Sequence, residues 1–200
     1  AATAACLAAI GLGLWGETDY IAVRLAVSGT PEQIGRGVGK QFAPIIRSFH
    51  PTFLMLAQAA RHQSKASLYR RAAALAQKLA PEDLAEIKGL AAAAEMPFED
   101  ALFLNLFYAL VHDSAYCRQI AVWGARTRDG ELIHGRNLDW RDYPGSPLKK
   151  HNLILDVKPD KGIEYVMLTW PGLQCVLTGT NRKGVTVGFN QLRYLDGAER

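Results

Sequence analysis

Three residue types that can build a reactive thiol site lie close together in the middle of the chain. Within residues 116–140, YCRQIAVWGARTRDGELIHGRNLDW, Cys117 begins a strand-like run, and an Asp-Gly pair at 129–130 supplies a turn, because glycine accepts a positive φ at little cost. After the turn, Arg136 and Asp139 occupy positions where a buried strand would carry apolar side chains. A cation and a carboxylate beside a thiol are typical of a nucleophilic site.

The register of this hairpin decides which of these side chains meet. A two-residue turn would place Cys117 opposite Asp142, whereas a five-residue loop over 126–130 would place it directly opposite Asp139. In the second register the thiol and the carboxylate lie on neighbouring strands, with their Cβ atoms about 5 Å apart. Arg136 would then join them only if the second strand bends just after it.

Four segments of the chain, taken in order, resemble the cysteine N-terminal-nucleophile hydrolases, the group that includes penicillin V acylase, bile salt hydrolase, acid ceramidase and isopenicillin N acyltransferase. The cysteine followed by a hairpin and GRNLDW is the first likeness. SGTPEQIGRGVGKQF and EIKGLAAAAEMPFEDALFLNLFYAL are similar to the segments that open the propeptide of the acyltransferase branch and precede its cleavage site. TGTNRKGVTVGFNQL is similar to the strand pair that carries an oxyanion-hole asparagine. The likeness covers roughly residues 25–195.

The resemblance implies a fold and an activation step. It implies a layered αββα sandwich and self-cleavage between Tyr116 and Cys117, which makes Cys117 a new N-terminus. An α-amine has a reference pKa near 7.7 to 8.0, so it can serve as the base for the adjoining thiol at neutral pH. The thiolate would attack an amide carbonyl and form a thioester, which water or an acceptor amine then resolves.

The resemblance also assigns roles to individual side chains. Asp139 would orient the α-amine, and Arg136 would hold the thiolate or the polar end of the substrate, since a neighbouring cation favours the charged sulfur. Asn190 in GFNQL matches the oxyanion-hole asparagine and would donate to the developing oxyanion. Trp140 and Tyr143 are candidates for the acyl pocket, with an aromatic core as the alternative. No metal and no cofactor is implied.

The function implied is an autoproteolytically activated amidohydrolase that cleaves a linear, non-peptide amide of an N-acylated small molecule. An acyltransferase that passes the acyl group to an amine, a non-catalytic relative that binds acylated molecules and a membrane-anchored structural protein are the alternatives. Arg118 stands where members commonly have a small residue, which bears on the cleavage rate and the pocket shape. A further Asn and Arg of the family's site are expected beyond Arg200, so the domain is expected to be incomplete at its C-terminus.

Composition and charge narrow the function classes. The chain has 200 residues, of which 49% are hydrophobic, and this suits one globular domain with a core. Its net charge of +4 is only mildly basic, and the basic run over 61–71 has a helical pattern, which favours a solvated helix face over a nucleic-acid surface. The cysteines Cys6, Cys117 and Cys175 lack zinc spacing. A bridge between Cys117 and Cys175 stays open, although Cys175 is predicted to belong to the core.

The first fifteen residues, AATAACLAAIGLGLW, are almost wholly apolar. They predict the remnant of a signal peptide or a membrane anchor, with a buried first helix as the alternative. A secreted, periplasmic or membrane-anchored protein is therefore expected, with possible membrane association through residues 1–15 and with a cytoplasmic location left open. The expected organisation is a leader or anchor over 1–16, a strand and helical propeptide region over 17–116, and the first part of the hydrolase domain over 117–200.

The remaining pattern predicts helices first and antiparallel strands afterwards, which is an α+β order. Residues 19–28 alternate as a strand, and Thr30 opens a helix, because Thr30 and Gln33 can form a capping box. The glycines of GRGVGK predict close helix packing, since the motif lacks the spacing of a phosphate loop. Apolar residues on both sides of 117–123 predict a hairpin covered on both faces. Further helices are predicted at 66–79, 81–94 and 97–111, and further hairpin strands at 152–157, 163–169, 174–178 and 185–191.

Overall fold

The computed structural model describes residues 22–111, 116–139 and 148–190, and within these ranges the chain is an α+β protein, as predicted. The helices are α1 (Pro31–Arg61), α2 (Lys65–Ala76), α3 (Pro81–Ala93) and α4 (Phe98–Leu110), with a short 3-10 helix at Leu148–Lys150. The strands are β1 (Ala22–Gly29), β2 (Tyr116–Gly124), β3 (Gly130–Asp139), β4 (Asn152–Pro159), β5 (Tyr165–Thr169), β6 (Thr178–Asn181) and β7 (Thr186–Gly188).

Strands β1 and β4 to β7 form a five-stranded mixed sheet in the order β1-β4-β5-β6-β7. Strands β4 to β7 make the predicted antiparallel meander, and β1 joins its edge in parallel to β4. The central hairpin, β2 and β3, is a separate two-stranded sheet. Both edges of β4 are occupied, one by β1 and the other by β5.

The hydrophobic core lies between the helices and one face of the five-stranded sheet. Leu153, Leu155 and Val157 alternate along β4 as buried residues, and they belong to the same core as Phe103 and Phe107 of α4. The core is therefore shared between the helices that precede residue 116 and the sheet that follows it.

Two of the three glycines in GRGVGK let α1 and α3 approach backbone to backbone. A Cβ added at Gly35 would lie 1.9 Å from the carbonyl oxygen of Glu86, and one added at Gly39 would lie 2.5 Å from that of Leu90. From the other helix, a Cβ at Gly89 would lie 2.1 Å from the carbonyl oxygen of Glu32. The prediction of close helix packing is confirmed.

The predicted capping box at the start of α1 is also confirmed. The Gln33 amide donates to Thr30 Oγ1 at 3.3 Å, and the Thr30 amide donates to Gln33 Oε1 at 2.8 Å. The helix then runs to Arg61 through Pro44 and Pro51, with a kink at Phe42, whose φ of −123° and ψ of 19° are not helical. A proline has no N–H for the preceding turn, which explains a kink just before Pro44.

The strand predicted over 174–178 was wrong, because its first residue is bonded to a helix instead of to a neighbouring strand. The Gln174 amide donates to the side-chain oxygen of Asn105 on α4 at 2.7 Å, and Asn105 also donates to the Gly172 carbonyl at 3.0 Å. Strand β6 consequently begins only at Thr178. None of the helices in the described part of the chain is long and apolar enough to cross a membrane, and residues 1–15, with the predicted leader or anchor, lie outside that part.

One carboxyl group on α3 is buried without compensation. Glu86 Oε1 is buried and has no hydrogen-bond partner among the described residues, and Glu86 also raises the pKa of Tyr165 on β5. Burial, with a smaller effect of Asp83, raises the pKa of Glu86 to about 7. Glu86 therefore gains a negative charge inside the fold near neutral pH.

We expect the replacement Gly35→Ala to lower the free energy of unfolding by about 3 kcal/mol, because the new methyl group meets backbone that cannot move without separating α1 from α3. Gly37 lies about half a helical turn further along α1, and a methyl group added there meets only a methyl group of Val27. Gly37→Ala should therefore lower the free energy of unfolding by about 1 kcal/mol or less. Urea unfolding monitored by circular dichroism measures both. Equal costs for the two variants would contradict the close approach at Gly35.

We expect Glu86→Gln to stabilise the protein at pH 8 by about 2 kcal/mol and to change its stability little at pH 4.5. The pKa of Glu86 is higher in the folded chain than in the unfolded chain, so its contribution is fully present below about pH 4.5 and is lost as the pH rises through about 7. The exposed Glu82→Gln on the same helix is the control. A Glu86→Gln effect that does not grow between pH 4.5 and pH 8 in thermal unfolding would refute this account.

Candidate active site

The register of the β2–β3 hairpin places the candidate nucleophile one position away from the predicted pairing. Cys117 pairs with Leu138, and Tyr116 pairs with Asp139. Both predicted registers were therefore wrong, since Cys117 lies opposite neither Asp139 nor Asp142.

An irregularity near the loop explains this shift. Val122 pairs with Ile133, but the next pair is Gly124 with Gly130, so β3 has two residues, Glu131 and Leu132, where β2 has only Trp123. The loop itself has five residues, 125–129, and both flanking glycines have positive φ, 61° for Gly124 and 73° for Gly130. The predicted Asp-Gly turn is present, while the extra residue that changes the register has no signal in the sequence.

Arg136 lies beside the Cys117 thiol. It pairs across the hairpin with Gln119, two positions from Cys117 and on the same face, and its Nη2 donates to Cys117 Sγ at 3.5 Å. The predicted bend after Arg136 is not needed, since β3 continues to Asp139 and Asn137 pairs normally. The same Nη2 donates to the carbonyl oxygen of Phe189.

Asn190 joins the same group of contacts. It follows β7 by two residues, and its Oδ1 accepts a hydrogen bond of 2.7 Å from Gln119 Nε2. Arg136 thus contacts both the Cys117 thiol and the residue before Asn190, and Asn190 binds Gln119, the cross-strand partner of Arg136. Their catalytic roles remain predictions.

Three other predicted site residues fall at the limits of the described chain. Asp139 ends β3, and only its backbone belongs to the described structure. Trp140 and Tyr143 lie outside the described residues. The predicted cleavage bond, between Tyr116 and Cys117, lies at the start of β2.

Tyr108 is a neighbour of this site that the sequence reasoning missed. It comes from α4, and its ring packs edge to face on Phe189 with centroids 6.2 Å apart. Burial raises the pKa of Tyr108, the charges of Cys175 and Cys117 raise it further, and the charge of Arg136 lowers it. The sequence did contain a signal for Tyr108, a tyrosine at the end of the apolar stripe of a helix, because a buried tyrosine hydroxyl needs polar neighbours.

The other described cysteine packs against the core, as predicted. Burial raises the pKa of Cys175 to about 11, so its thiol stays protonated at neutral pH. Cys117 and Cys175 are both free, and no bridge joins them. Within the described ranges no group of three or more His, Cys, Asp or Glu side chains could hold a metal ion.

The outer part of the hairpin is exposed, which corrects the prediction of a hairpin covered on both faces. Ile120, Trp123, Leu132 and Ile133 are each more than half exposed. The described contacts of the hairpin with the five-stranded sheet lie near the other end, where Gln119 and Arg136 meet the end of β7. The apolar residues of these strands therefore indicated a hairpin, but no described residue covers its outer half.

The described structure is thus an α+β protein with a thiol beside a guanidinium. No family model matches the chain. It is 28% identical to acid ceramidase of Bos taurus over 123 residues, which cover 56% of this chain and 30% of that protein. Acid ceramidase of Pan troglodytes is 26% identical over the same length, and protein dcd1A of Dictyostelium discoideum is 28% identical over 113 residues, 52% of this chain and 25% of that protein.

The chain therefore matches between a quarter and a third of the length of these curated relatives. Acid ceramidase is one of the proteins in the group that the sequence resembles. The similarity supports a relationship to that group at low identity, and it does not single out the acyltransferase branch.

We expect iodoacetamide at pH 7.5 to alkylate Cys117 much faster than Cys175, because the Cys175 thiol is buried and protonated. Arg136→Gln should slow labelling of Cys117 by about threefold to tenfold, since it removes the cation beside the sulfur. Arg126→Gln, in the exposed loop of the same hairpin, is the control and should leave the rate unchanged. Peptide mapping by mass spectrometry measures each site, and faster labelling of Cys175 would contradict the geometry.

Proposed function

We propose that this chain is part of an N-terminal-nucleophile amidohydrolase that activates itself by cleavage between Tyr116 and Cys117 and then hydrolyses linear N-acyl amides. The observation that carries the proposal is the pair of hydrogen bonds from Arg136 Nη2, one to the Cys117 thiol and one to the Phe189 carbonyl. They hold the nucleophile close to the segment that ends at Asn190. The similarity to acid ceramidase supports the same class of reaction.

The activation step uses the thiol of the intact chain. Cys117 Sγ attacks the carbonyl carbon of Tyr116, and the peptide bond gives way to a thioester while its nitrogen becomes a free amine. Water then hydrolyses the thioester, which leaves a carboxylate on Tyr116 and an α-amine and a thiol on Cys117. Before cleavage there is no free α-amine on Cys117, and the described cation beside its sulfur is the Arg136 guanidinium.

Substrate hydrolysis repeats this chemistry on an external amide. The α-amine of Cys117 takes the thiol proton, the thiolate attacks the substrate carbonyl, and the proton passes to the leaving amine. Asn190 donates to the oxyanion, and Asp139 orients the α-amine. Water then releases the fatty or other acyl group as a carboxylic acid and regenerates the thiol.

The surroundings of the thiol favour an apolar acyl group. Tyr108 and Phe189 form an edge-to-face pair near Cys117, and Leu138 pairs directly with Cys117 across the hairpin. The name acid ceramidase denotes action on ceramide, in which an acyl chain is joined to an amine by a linear amide. We therefore extend the proposal to N-acyl amides with long acyl chains.

The two fragments should remain together after cleavage. β1 pairs with β4 over eight positions, from Ala22 with Asn152 to Gly29 with Pro159, across the predicted cut. The helices before the cut also share one core with the sheet after it. The helical region is therefore retained as part of the folded enzyme.

The test is intact mass spectrometry of the full-length protein beside Cys117→Ala, with Cys175→Ala as the matched cysteine control. We expect wild type and Cys175→Ala to give two fragments that meet at Tyr116 and Cys117, and to give one particle of the summed mass under native conditions. Cys117→Ala should stay in one piece. A single uncut chain in a folded wild-type sample would refute self-activation and would favour the binding relative.

A panel of fluorogenic N-acyl amides of an aminocoumarin, with short to long acyl chains, then tests the chemistry. We expect the cleaved wild type to release the fluorophore with a preference for long chains and Cys117→Ala to be inactive. Addition of glycine as an acceptor distinguishes the two enzyme classes, because an acyltransferase would form N-acyl glycine in place of free acid. No turnover of any member by the cleaved protein would reject the amidase proposal.

A further inference from the structure

The side chain of Gln119 lies where the hairpin meets the end of β7, and it uses both ends of its amide group. Its Nε2 donates to the Gly188 carbonyl at 2.9 Å and to Asn190 Oδ1 at 2.7 Å. Its Oε1 lies 2.8 Å from His134 Nε2, within hydrogen-bond distance. No catalytic role predicted from the sequence involves Gln119 or His134.

The donors and acceptors fit together in only one arrangement. Gln119 Oε1 can only accept, so His134 carries its proton on Nε2 and donates to it. A reversed Gln119 amide would turn its oxygen toward two other oxygen acceptors, the Gly188 carbonyl and Asn190 Oδ1. The Gly188 carbonyl, which can only accept, therefore fixes the orientation of the Gln119 amide, and His134 binds its oxygen.

The orientation of Gln119 in turn fixes that of Asn190. A reversed Asn190 amide would set its own NH₂ group against the NH₂ group of Gln119, two donors facing each other. With its oxygen bound to Gln119, Asn190 keeps its Nδ2 hydrogens for another acceptor. This is the arrangement that a donor to an oxyanion requires, because such a donor acts best when it is oriented before the reaction.

We propose that Gln119 is a positioning residue that orients the Asn190 amide as an oxyanion donor, and that His134 holds Gln119 in place. This inference rests on the proposed function, in which Asn190 stabilises the oxyanion. Gln119 acts through Asn190 and does not touch the substrate.

The close fit at Gly188 provides a second, steric observation. A Cβ added at Gly188 would lie 2.3 Å from Gln119 Oε1 and 2.7 Å from its Cδ, so only glycine lets the Gln119 amide lie against this strand end. Gln119 and Arg136 form one cross-strand pair, and Arg136 binds the Phe189 carbonyl. One pair of the hairpin thus holds three consecutive residues, from Gly188 to Asn190.

The test is a double-mutant cycle in the full-length enzyme, with the fluorogenic amide that wild type cleaves fastest. Gln119→Glu keeps the shape but places an acceptor oxygen where Nε2 faced Asn190 Oδ1, and it should lower kcat by about tenfold to a hundredfold with KM within about threefold. Asn190→Ala should lower kcat by about a hundredfold or more. The double variant should be no slower than Asn190→Ala alone, since Gln119 acts only through Asn190.

Two further measurements separate positioning from general damage. The alkylation rate of Cys117 should stay within about twofold of wild type in Gln119→Leu, which removes the bond to Asn190 without adding a charge beside Arg136. Gln41→Glu, an exposed glutamine on α1, is the control for the added charge. If Gln119→Glu does not fold, His134→Leu enters the same cycle, where a smaller loss of kcat that also disappears in the Asn190→Ala background is expected.

The outcomes distinguish the two proposals. Additive losses from Gln119 and Asn190, or unchanged kcat in Gln119→Glu while Asn190→Ala is inactive, would overturn the positioning role and leave the amidase proposal intact. Full activity in Asn190→Ala would overturn the oxyanion role of Asn190 and with it the positioning role of Gln119, while the amidase proposal would stand. A loss confined to KM would also reject positioning.

Discussion

The candidate site depends on the contact between the Arg136 guanidinium and the two chain segments that it joins. One nitrogen of this group donates to the Cys117 sulfur and to the Phe189 carbonyl. Hydrogen bonds from a charged donor are roughly twice as strong as those between neutral groups, and a guanidinium keeps its charge at any working pH. The hairpin and the five-stranded sheet are therefore joined beside the thiol itself, so the chemistry and the packing of the two sheets cannot vary independently.

The helices before the hairpin contribute to this arrangement and are more than a cover. The α1–α3 contact, in which glycines let two backbones touch, holds these two helices together, and the helices share one core with the five-stranded sheet. Tyr108 then extends from α4 to Phe189 and to the surroundings of Cys117. A region that the resemblance assigns to a propeptide thus supplies one wall of the candidate site. Cleavage at residue 116 would open the chain there without removing that wall.

Local signals predicted most of the elements, and non-local pairing accounts for most of the errors. The capping box at Thr30 and the Asp-Gly turn depend on neighbouring residues, and both are present. The parallel pairing of β1 with β4 joins segments about 130 residues apart, which no periodicity reveals. The failed strand at 174–178 has the same origin, since Asn105 of a distant helix binds the Gln174 backbone.

The site itself was predictable in its residue types and not in its geometry. Cys117, Arg136 and Asn190 were named from motif and resemblance, and the structure brings them together. The register that does so depends on an extra residue in β3, where Glu131 and Leu132 lie opposite Trp123, and an extra residue in a strand carries no signal of its own. Gln119 was overlooked because a glutamine in a strand is unremarkable until its partners are known.

The departure at Arg118 becomes understandable from the alternation of β2. Arg118 pairs with Asn137, so its side chain points to the face opposite Cys117, where Ile120 and Ile133 are also exposed. A long cation there neither narrows the face that carries the thiol nor competes with Arg136 for the sulfur. The size of residue 118 is therefore limited by whatever covers the opposite face of the hairpin, and the surroundings of the Cys117 thiol do not limit it.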